Sequence, residues 1–424
     1  MEKIIVEGGN KLRGEVNVSL AKNSVLPIIV ASILSPNDIV IKNAPMLEDV
    51  VVLTDLLSGM DCNIESNVNG DLKINTANLE NANMNSELIR KMRASFLIMG
   101  PMLSRFGKCR ISMPGGCNIG SRPIDLHLKG FRLLGAEIDM EHGYVEAKAK
   151  KLKGNRIYLD FPSVGATENI LMAAVLAEGT TIIENAAEEP EIWDLANFLN
   201  SMGAKIEGAG IGKITIEGVE SLKGITYKPI YDRVEAGTFM VAAAITNSKI
   251  TINGANEDHL RPTIEKLKEC GVLFKNIKED TILVDGTGVK IPVDIKTLPY
   301  PGFPTDMQAQ MMTLLSVTKG SSIITETVFE NRFMHVAELV RMGANIKIDG
   351  RTAIIEGVGA LTGCDVKATD LRAGAAMILA GLVAQGRTEI SELYHIDRGY
   401  VNIEEKFRGL GANIYRVEKW FYFK

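Results

Sequence analysis

The sequence predicts an α/β protein of two globular domains, each made of three copies of one unit, with apolar helices inside and sheets outside. The first observation is a phrase that recurs six times. It reads Met60-Asp61-Cys62-Asn63-Ile64, Leu134-Gly135-Ala136-Glu137-Ile138, Met202-Gly203-Ala204-Lys205-Ile206, Cys270-Gly271-Val272-Leu273-Phe274, Met342-Gly343-Ala344-Asn345-Ile346 and Leu410-Gly411-Ala412-Asn413-Ile414. Its third residues lie 74, 68, 68, 72 and 68 positions apart. Such regularity means one supersecondary unit used six times. The second observation is the order of patterns around each phrase: helix, strand, helix, then two strands. The third is that one helix of each pair is apolar nearly all round, as a buried helix must be.

The third copy justifies each element most clearly. Ala166 to Glu178 places apolar residues at helical spacing, and Gly179 supplies a C-terminal stop. Thr180 to Asn185 is short and β-branched, hence a strand. Glu189-Pro190-Glu191 opens a second helix that runs through Met202, with Pro in its first turn and acids at the positive end of the dipole. Lys205 to Glu207 and Ile214 to Glu217 complete the unit as strands. Other second helices, such as Arg261 to Lys268, carry more charge and should face water. Six units exceed one core, so a split into 22–229 and 1–21 plus 230–424 is expected, with residues 1–21 read as a strand that pairs late in the chain. An open solenoid packs six long mixed units less well.

Composition narrows the function. The chain has 424 residues, 46% hydrophobic and 23% charged, with a net charge of −5, which argues against a broad nucleic-acid surface. The start, Met1 to Glu7, reads as a strand rather than a signal peptide, and apolar stretches such as Leu26 to Leu34 are too short to span a bilayer. Five cysteines without a C-x-x-C pair and five scattered histidines point to a reducing cytoplasm and to no metal site. No nucleotide-loop motif of the G-x-x-x-x-G-K-S/T kind is present.

The copies differ where chemistry would sit. The apolar helices begin at Ala21-Lys22-Asn23, Met92-Arg93-Ala94, Gly165-Ala166-Thr167, Val234-Glu235-Ala236, Thr305-Asp306-Met307 and Leu371-Arg372-Ala373. A cation at a helix N-terminus opposes the dipole, so Lys22, Arg93 and Arg372 are not there for helix stability. Salt bridges between repeats are the structural alternative. Second-helix starts are read at Gly120-Ser121-Arg122-Pro123, Glu330-Asn331-Arg332-Phe333 and Ile396-Asp397-Arg398-Gly399. Six cations on one interdomain cleft would bind a small ligand bearing phosphate and carboxylate. Asp306 and Asp370 share the helix-start register; near these cations they should stay ionised and suit a base or hydroxyl-positioning role. The segment Met113 to Pro123 surrounds Cys117 with turn residues, and Arg122 beside it would favour the thiolate. Cys62 and Cys270, inside the repeated phrase, read as structural.

The order of motifs resembles one family over essentially the whole chain: AKN at 21–23, MRAS at 92–95, PGGCNIGSRPIDLH at 114–127, SVGAT at 163–167, FPTDMQAQ at 303–310, TETVFENRFMH at 325–335, ATDLRA at 368–373 and YHIDRGY at 394–400. The chain resembles the UDP-N-acetylglucosamine 1-carboxyvinyltransferases, enolpyruvyl transferases of peptidoglycan synthesis. The resemblance implies two inside-out α/β barrel domains, each of three βαβαββ repeats, with an interdomain active-site cleft. It implies transfer of the enolpyruvyl group of phosphoenolpyruvate to the 3-hydroxyl of UDP-N-acetylglucosamine by addition and elimination, with release of phosphate. No metal, cofactor, nucleic acid, membrane or obligate protein partner is implied, and the location is the cytoplasm. Cys117 is then the proton-donor thiol, open to covalent addition and to the epoxide fosfomycin. Asp306 is the base, and Lys22 and Arg398 complete the catalytic set. Lys22, Asn23, Arg122, Arg332, Arg372 and Arg398 hold phosphoenolpyruvate. Asn23, Arg93, Arg122, Pro123, Ile124, Asp125, Leu126, Phe161, Pro162, Ser163, Val164, Asp306 and Val328 border the nucleotide sugar. Asp370 supports the closed site.

Some positions depart from the family pattern. Leu20 stands where Gly commonly precedes AKN, Phe161-Pro162 replaces a polar run, and Asp61 replaces the repeat Gly, suggesting an altered turn. The aromatic tail Trp420 to Phe423 reads as a packing segment. Two alternatives remain from the sequence: a related transferase acting on shikimate 3-phosphate, which the Cys117 loop argues against, and a non-catalytic nucleotide-sugar sensor on the same fold.

Overall fold

The repeat read from the sequence is visible in the sheets. In the computed structural model, which describes residues 2–68, 70–79, 93–113 and 123–417, the third copy forms one four-stranded sheet. Strand Arg156–Tyr158 pairs parallel with Thr180–Glu184, which pairs antiparallel with Lys213–Glu217, which pairs antiparallel with Lys205–Glu207. A parallel pair needs a long crossover, and helix Val164–Ala174 supplies it. Each of the other four-stranded sheets has the same order: first, second, last and third strand of a βαβαββ unit. One sheet, Lys108–Ser112 with Tyr144–Lys148 and Glu137–Glu141, has three strands among the described residues.

The chain divides into two compact units, which for the described residues are 20–230, without the undescribed stretches, and 2–19 with 231–417. Each unit closes by strand exchange along the chain. In the first, Thr226–Tyr227 returns to pair parallel with Ile39–Ile41 and fills the first place of the first repeat. In the second, the single strand expected over 1–21 is two strands. Lys3–Glu7 inserts between Arg387–Ser391 and Asn413–Val417, and Arg13–Asn17 pairs parallel with Lys249–Asn253. Gly8 and Gly9 divide them: Gly9 has φ 101°, and a Cβ on Gly8 would lie 2.2 Å from the Ala384 carbonyl oxygen.

The apolar helices are buried as their composition requires. In the second unit, every residue of Arg233–Ile245 except Arg233 is buried, and Gln308–Ser316 is buried throughout. In the first, helix Met99–Phe106 meets Val164–Ala174 so closely that a Cβ on Gly100 would lie 2.3 Å from the Asn169 carbonyl oxygen. Buried Asn169 joins the two segments. Its Oδ1 accepts from the Gly100 N–H at 2.7 Å, and its Nδ2 donates to the Phe96 carbonyl at 3.0 Å.

Two local expectations are corrected. The helix expected from Ala166 to Glu178 spans Val164–Ala174. It starts earlier because Ser163 Oγ accepts from the Ala166 N–H at 3.3 Å. It stops earlier because the Glu178 backbone is engaged elsewhere: its N–H donates to Leu152 O and its carbonyl accepts from Gly154 N. Gly179, at φ 82°, turns the chain into the strand instead of ending the helix. The repeated phrase itself marks a left-handed residue after each second helix. Gly135, Gly203, Gly271, Gly343 and Gly411 have φ between 93° and 107°, and Asp61, with φ 63°, keeps the same region rather than altering the turn.

Candidate active site

In the second unit, the carboxylate of Asp306 is the meeting point of two cations from different repeats. Asp306 sits in the 3₁₀ turn Thr305–Met307 that leads into helix Gln308–Ser316. Arg332 Nη2 reaches Asp306 Oδ1 at 2.7 Å; Arg372 reaches Oδ2 with Nη2 at 2.9 Å and Nε at 3.2 Å. The two guanidinium side chains are 6% and 5% exposed and Asp306 is 27% exposed. Burial alone would raise the Asp306 carboxyl. Arg372 and then Arg332 outweigh burial and hold it well below the ordinary carboxylate range. For Arg372 burial works against the charge, and the Asp306 carboxylate overcomes it, so its guanidinium is held still more firmly protonated.

A polar ring through the core fixes this pair from behind. The Arg372 guanidinium lies 5.5 Å from the Tyr400 ring centre. Tyr400 Oη and Thr238 Oγ1 are 3.0 Å apart, Gln310 Nε2 donates to Thr238 Oγ1 at 3.2 Å, and the same Nε2 donates to the Asp306 carbonyl at 2.9 Å. Asp306 is thus held at its side chain and at its backbone.

Asp370 does not share the part played by Asp306. It is the N-cap of helix Leu371–Val383, and its Oδ1 accepts from the N–H groups of Arg372 at 2.8 Å and Ala373 at 3.1 Å. That cap sets the first turn from which Arg372 projects. Arg398 is also placed differently from the expectation. It follows the short helix Tyr394–Asp397 as its C-cap, and the next helix, Ile403–Gly409, begins five positions later. A cation there agrees with the helix dipole. Gly399 packs on Leu371, where a Cβ would lie 2.5 Å from Cδ2, so the chain turns at this point instead of opening a helix. Arg332 likewise precedes its helix, His335–Arg341. Val328 donates its N–H to Glu326 Oε1 at 2.8 Å.

In the first unit, Lys22 opens helix Lys22–Ala31 and is buried, with Nζ 3.0 Å from Asp49 Oδ2. Asn23 beside it is exposed. Arg93 begins the 3₁₀ turn Arg93–Ile98. Pro123 is exposed and Ile124 buried just before helix Asp125–Leu133, where Asp125 is exposed and Leu126 half-buried. Phe161 is exposed, and Pro162, Ser163 and Val164 are half-buried at the start of their helix. Cys117, Arg122 and the side chain of Arg93 lie outside the described residues, as does the aromatic tail from Trp420.

Lys22, Arg332 and Arg372 are therefore each paired with a carboxylate, Arg332 and Arg372 with the same one. The pairing across 66 positions between Asp306 and Arg372 is the inter-repeat salt bridge weighed as the alternative. The four described cysteines behave structurally: burial pushes Cys62 and Cys109 up to about 12 and raises Cys270 and Cys364 as well. Asp49, Thr305, Glu326 and Tyr400 were missed as site residues. Thr305, Glu326 and Tyr400 lie inside quoted motifs, but nothing in a linear pattern shows which groups they face.

The fold is that of the carboxyvinyl transferases. The family model for EPSP synthase (3-phosphoshikimate 1-carboxyvinyltransferase) matches residues 6–407. The structure is similar to the enolpyruvyl transferase NikO from Streptomyces tendae, with a TM-score of 0.88 and 25% identity over 98% of this chain and 99% of that one. An EPSP synthase from Acinetobacter baumannii, 20% identical, shares the fold at a TM-score of 0.76 over 99% of this chain and all of the other. In sequence, the chain is 66% identical to UDP-N-acetylglucosamine 1-carboxyvinyltransferase 2 of Clostridium tetani over 98% of its own length and 100% of the relative's. It is 63% identical to UDP-N-acetylglucosamine 1-carboxyvinyltransferase 1 of Clostridium acetobutylicum over 99% and 100%. The chain belongs to the UDP-N-acetylglucosamine 1-carboxyvinyltransferase family.

Proposed function

We propose that this protein transfers the enolpyruvyl group of phosphoenolpyruvate to the 3-hydroxyl of UDP-N-acetylglucosamine, releasing phosphate, as the first committed step of peptidoglycan precursor synthesis in the cytoplasm. The full-length identity of 66% to a relative of that name carries the reading. The Asp306 arrangement supports it, since one ionised carboxylate beside two guanidiniums suits a hydroxyl that must lose a proton next to an anionic partner.

In this reading the Cys117 thiol gives a proton to C3 of phosphoenolpyruvate. The sugar oxygen forms a bond to C2 while Asp306 takes the hydroxyl proton. The tetrahedral product still carries phosphate on C2. Loss of a C3 proton then re-forms the double bond, and the C2–O bond to phosphate breaks with the electron pair leaving on phosphate. Lys22, Asn23, Arg122, Arg332, Arg372 and Arg398 are assigned to the phosphate and carboxylate of phosphoenolpyruvate. The nucleotide sugar is assigned to Asn23, Arg93, Arg122 to Leu126, Phe161 to Val164, Asp306 and Val328. Assigning the reactive thiol to Cys117 is supported by the raised thiols of the four described cysteines, which make poor thiolates.

The test is phosphate release from phosphoenolpyruvate by purified protein. Dependence on UDP-N-acetylglucosamine is expected. Release driven by shikimate 3-phosphate would replace this reading with its nearest rival, and binding of the sugar nucleotide without turnover would make the protein a sensor.

A further inference from the structure

Behind the Asp306 site lies a buried carboxylate to which no step of the proposed reaction gives a role. Glu326 is 1% exposed, and four neutral groups donate to it. Thr297 Oγ1 and the N–H groups of Val328 and Phe329 reach Oε1 at 2.8, 2.8 and 3.1 Å. Thr305 Oγ1 reaches Oε2 at 2.8 Å. Two oxygens thus do two things. Oε1 fastens the loop that begins after strand Ser321–Thr325, and Oε2 holds the residue next to Asp306.

The direction of the second contact matters. The Arg332 guanidinium can only donate, so the Thr305 oxygen accepts from it and the Thr305 hydroxyl hydrogen points at Glu326. That leaves the Thr305 oxygen lone pairs facing outward, and Arg332 Nη1 donates to this oxygen at 3.1 Å. The other Arg332 nitrogen, Nη2, donates to Asp306 Oδ1 at 2.7 Å. The guanidinium is planar, so fixing one of its nitrogens on Thr305 fixes the direction from which the other meets Asp306. The order Glu326, Thr305, Arg332, Asp306 is a continuous line of directed hydrogen bonds.

We propose that Glu326 is a positioning residue of the transferase reaction, orienting Arg332 against Asp306 through the Thr305 hydroxyl. The proposal rests on the reading of Asp306 and Arg332 as reacting-site groups. It differs from a purely structural role in one checkable way. In Glu326→Gln, the amide oxygen must face the Val328 and Phe329 N–H groups, so the loop stays anchored. The amide NH₂ then faces Thr305 and reverses the polarity of that contact, putting it in competition with Arg332 for the same oxygen.

The experiment measures kcat and KM for both substrates in wild type, Glu326→Gln, Thr305→Val, Thr305→Ser and the double variant Glu326→Gln/Thr305→Val, with thermal unfolding as the check on folding. Misplacement of a reacting group by about 1 Å costs on the order of 100-fold, and a lost orienting bond is expected to cost about 10- to 100-fold in kcat with KM changed less than about threefold. Thr305→Val should match Glu326→Gln, Thr305→Ser should restore most of the rate, and the double variant should be no worse than the poorer single one because both break the same line. A Glu326→Gln rate within twofold of wild type overturns the proposal, as do multiplicative losses in the double variant. If Glu326→Gln does not fold, the contrast between Thr305→Val and Thr305→Ser decides alone. Failure of wild type to turn over would overturn the reaction assignment, an outcome distinct from a normal wild type with indifferent variants.

Discussion

Replacing Asp306 with Asn should cost both rate and stability, and the two losses should respond differently to pH. The substitution keeps size and removes one charge. A guanidinium and a carboxylate in direct contact have charge centres about 4 Å apart, worth about 4 kcal/mol at an effective dielectric near 20. Asp306 makes two such contacts, at 2.7 and 2.9 Å. Much of that gross attraction offsets the cost of burying two guanidiniums, but in Asp306→Asn that cost stays while the attraction is lost. Removing one partner of a buried pair costs about 3–5 kcal/mol. Because the Asp306 side chain is 27% exposed, water relieves part of the penalty and the lower figure applies. A loss of about 3 kcal/mol lowers the unfolding midpoint of a unit of this size by about 6–12 °C.

The pH dependence checks the cause. Asp306 is held below its unfolded value, so its contribution is present above the unfolded pKa and is lost as pH falls through the acid range. The stability gap between wild type and Asp306→Asn should therefore be constant from pH 8 to 5 and narrow by about 1 kcal/mol by pH 3. The assay is urea unfolding at each pH, read beside phosphate release at pH 7.5. Loss of a base should lower kcat by about 100- to 10,000-fold. An unchanged midpoint, or a gap as wide at pH 3 as at pH 7, would refute the account of Asp306 as an ionised clamp. A kcat within tenfold of wild type would refute its role as base.

Other outcomes follow from single contacts. Burial, more than the nearby Arg332, pushes His335 down to about 4 against the pull of Asp370, so the folded protein keeps it neutral where the unfolded chain binds a proton. Stability should rise with pH between about 4 and 6.5, by on the order of 3 kcal/mol, and urea unfolding of His335→Leu should lack that slope. Gly100→Ala should lower the unfolding midpoint: about 1 kcal/mol of helix propensity is gained, but a Cβ 2.3 Å from the Asn169 carbonyl forces apart two buried helices at a larger cost. Cys117→Ser should lose most of its turnover and escape alkylation by fosfomycin, whereas Cys117→Asp, which keeps a proton donor, should stay active and also escape; mass spectrometry locating the adduct on another cysteine of Cys117→Ser would move the reactive thiol.

The repeat was legible because its signals are local. The helix-end phrase marks one backbone state, φ near 93–107° at the glycines, and a run of apolar residues reports a buried helix without reference to anything distant. What closes each unit was legible only in part. The strand read at the start of the chain does pair late, with Lys3–Glu7 between Arg387–Ser391 and Asn413–Val417, but no pattern in a short strand names a partner as distant as Ile39–Ile41 is from Thr226–Tyr227, or shows that Arg13–Asn17 is a second strand. The candidate site divides in the same manner. Helix starts pick out Lys22, Asp306 and Arg372 and predict an ionised Asp306 near cations, but they name neither which cations it meets nor Asp49, which looks like an ordinary first-turn acid in sequence. Arg398 was misread because a four-residue helix, Tyr394–Asp397, carries no periodicity to recognise.

The Asp306 clamp also constrains how the proposed chemistry can run. A carboxylate held far below its ordinary range is a poor base, yet the reaction asks it to accept a hydroxyl proton. The two demands are compatible if its guanidiniums acquire another anion. Arg332 and Arg372 are the residues assigned to phosphoenolpyruvate, and each guanidinium offers five N–H donors, more than Asp306 engages. A bound phosphate or carboxylate neutralises part of their charge, so the force that depresses Asp306 weakens only when substrate is present. The same pair then keeps the empty site stable and the carboxylate inert, and releases basicity with binding. In the proposed reaction the arginines do more than hold an anion. Their shared carboxylate ties the strength of the base to occupancy of the anion site, and a Lys in place of Arg372, which cannot present Nε and Nη2 together to Oδ2, would loosen that tie even with the charge retained.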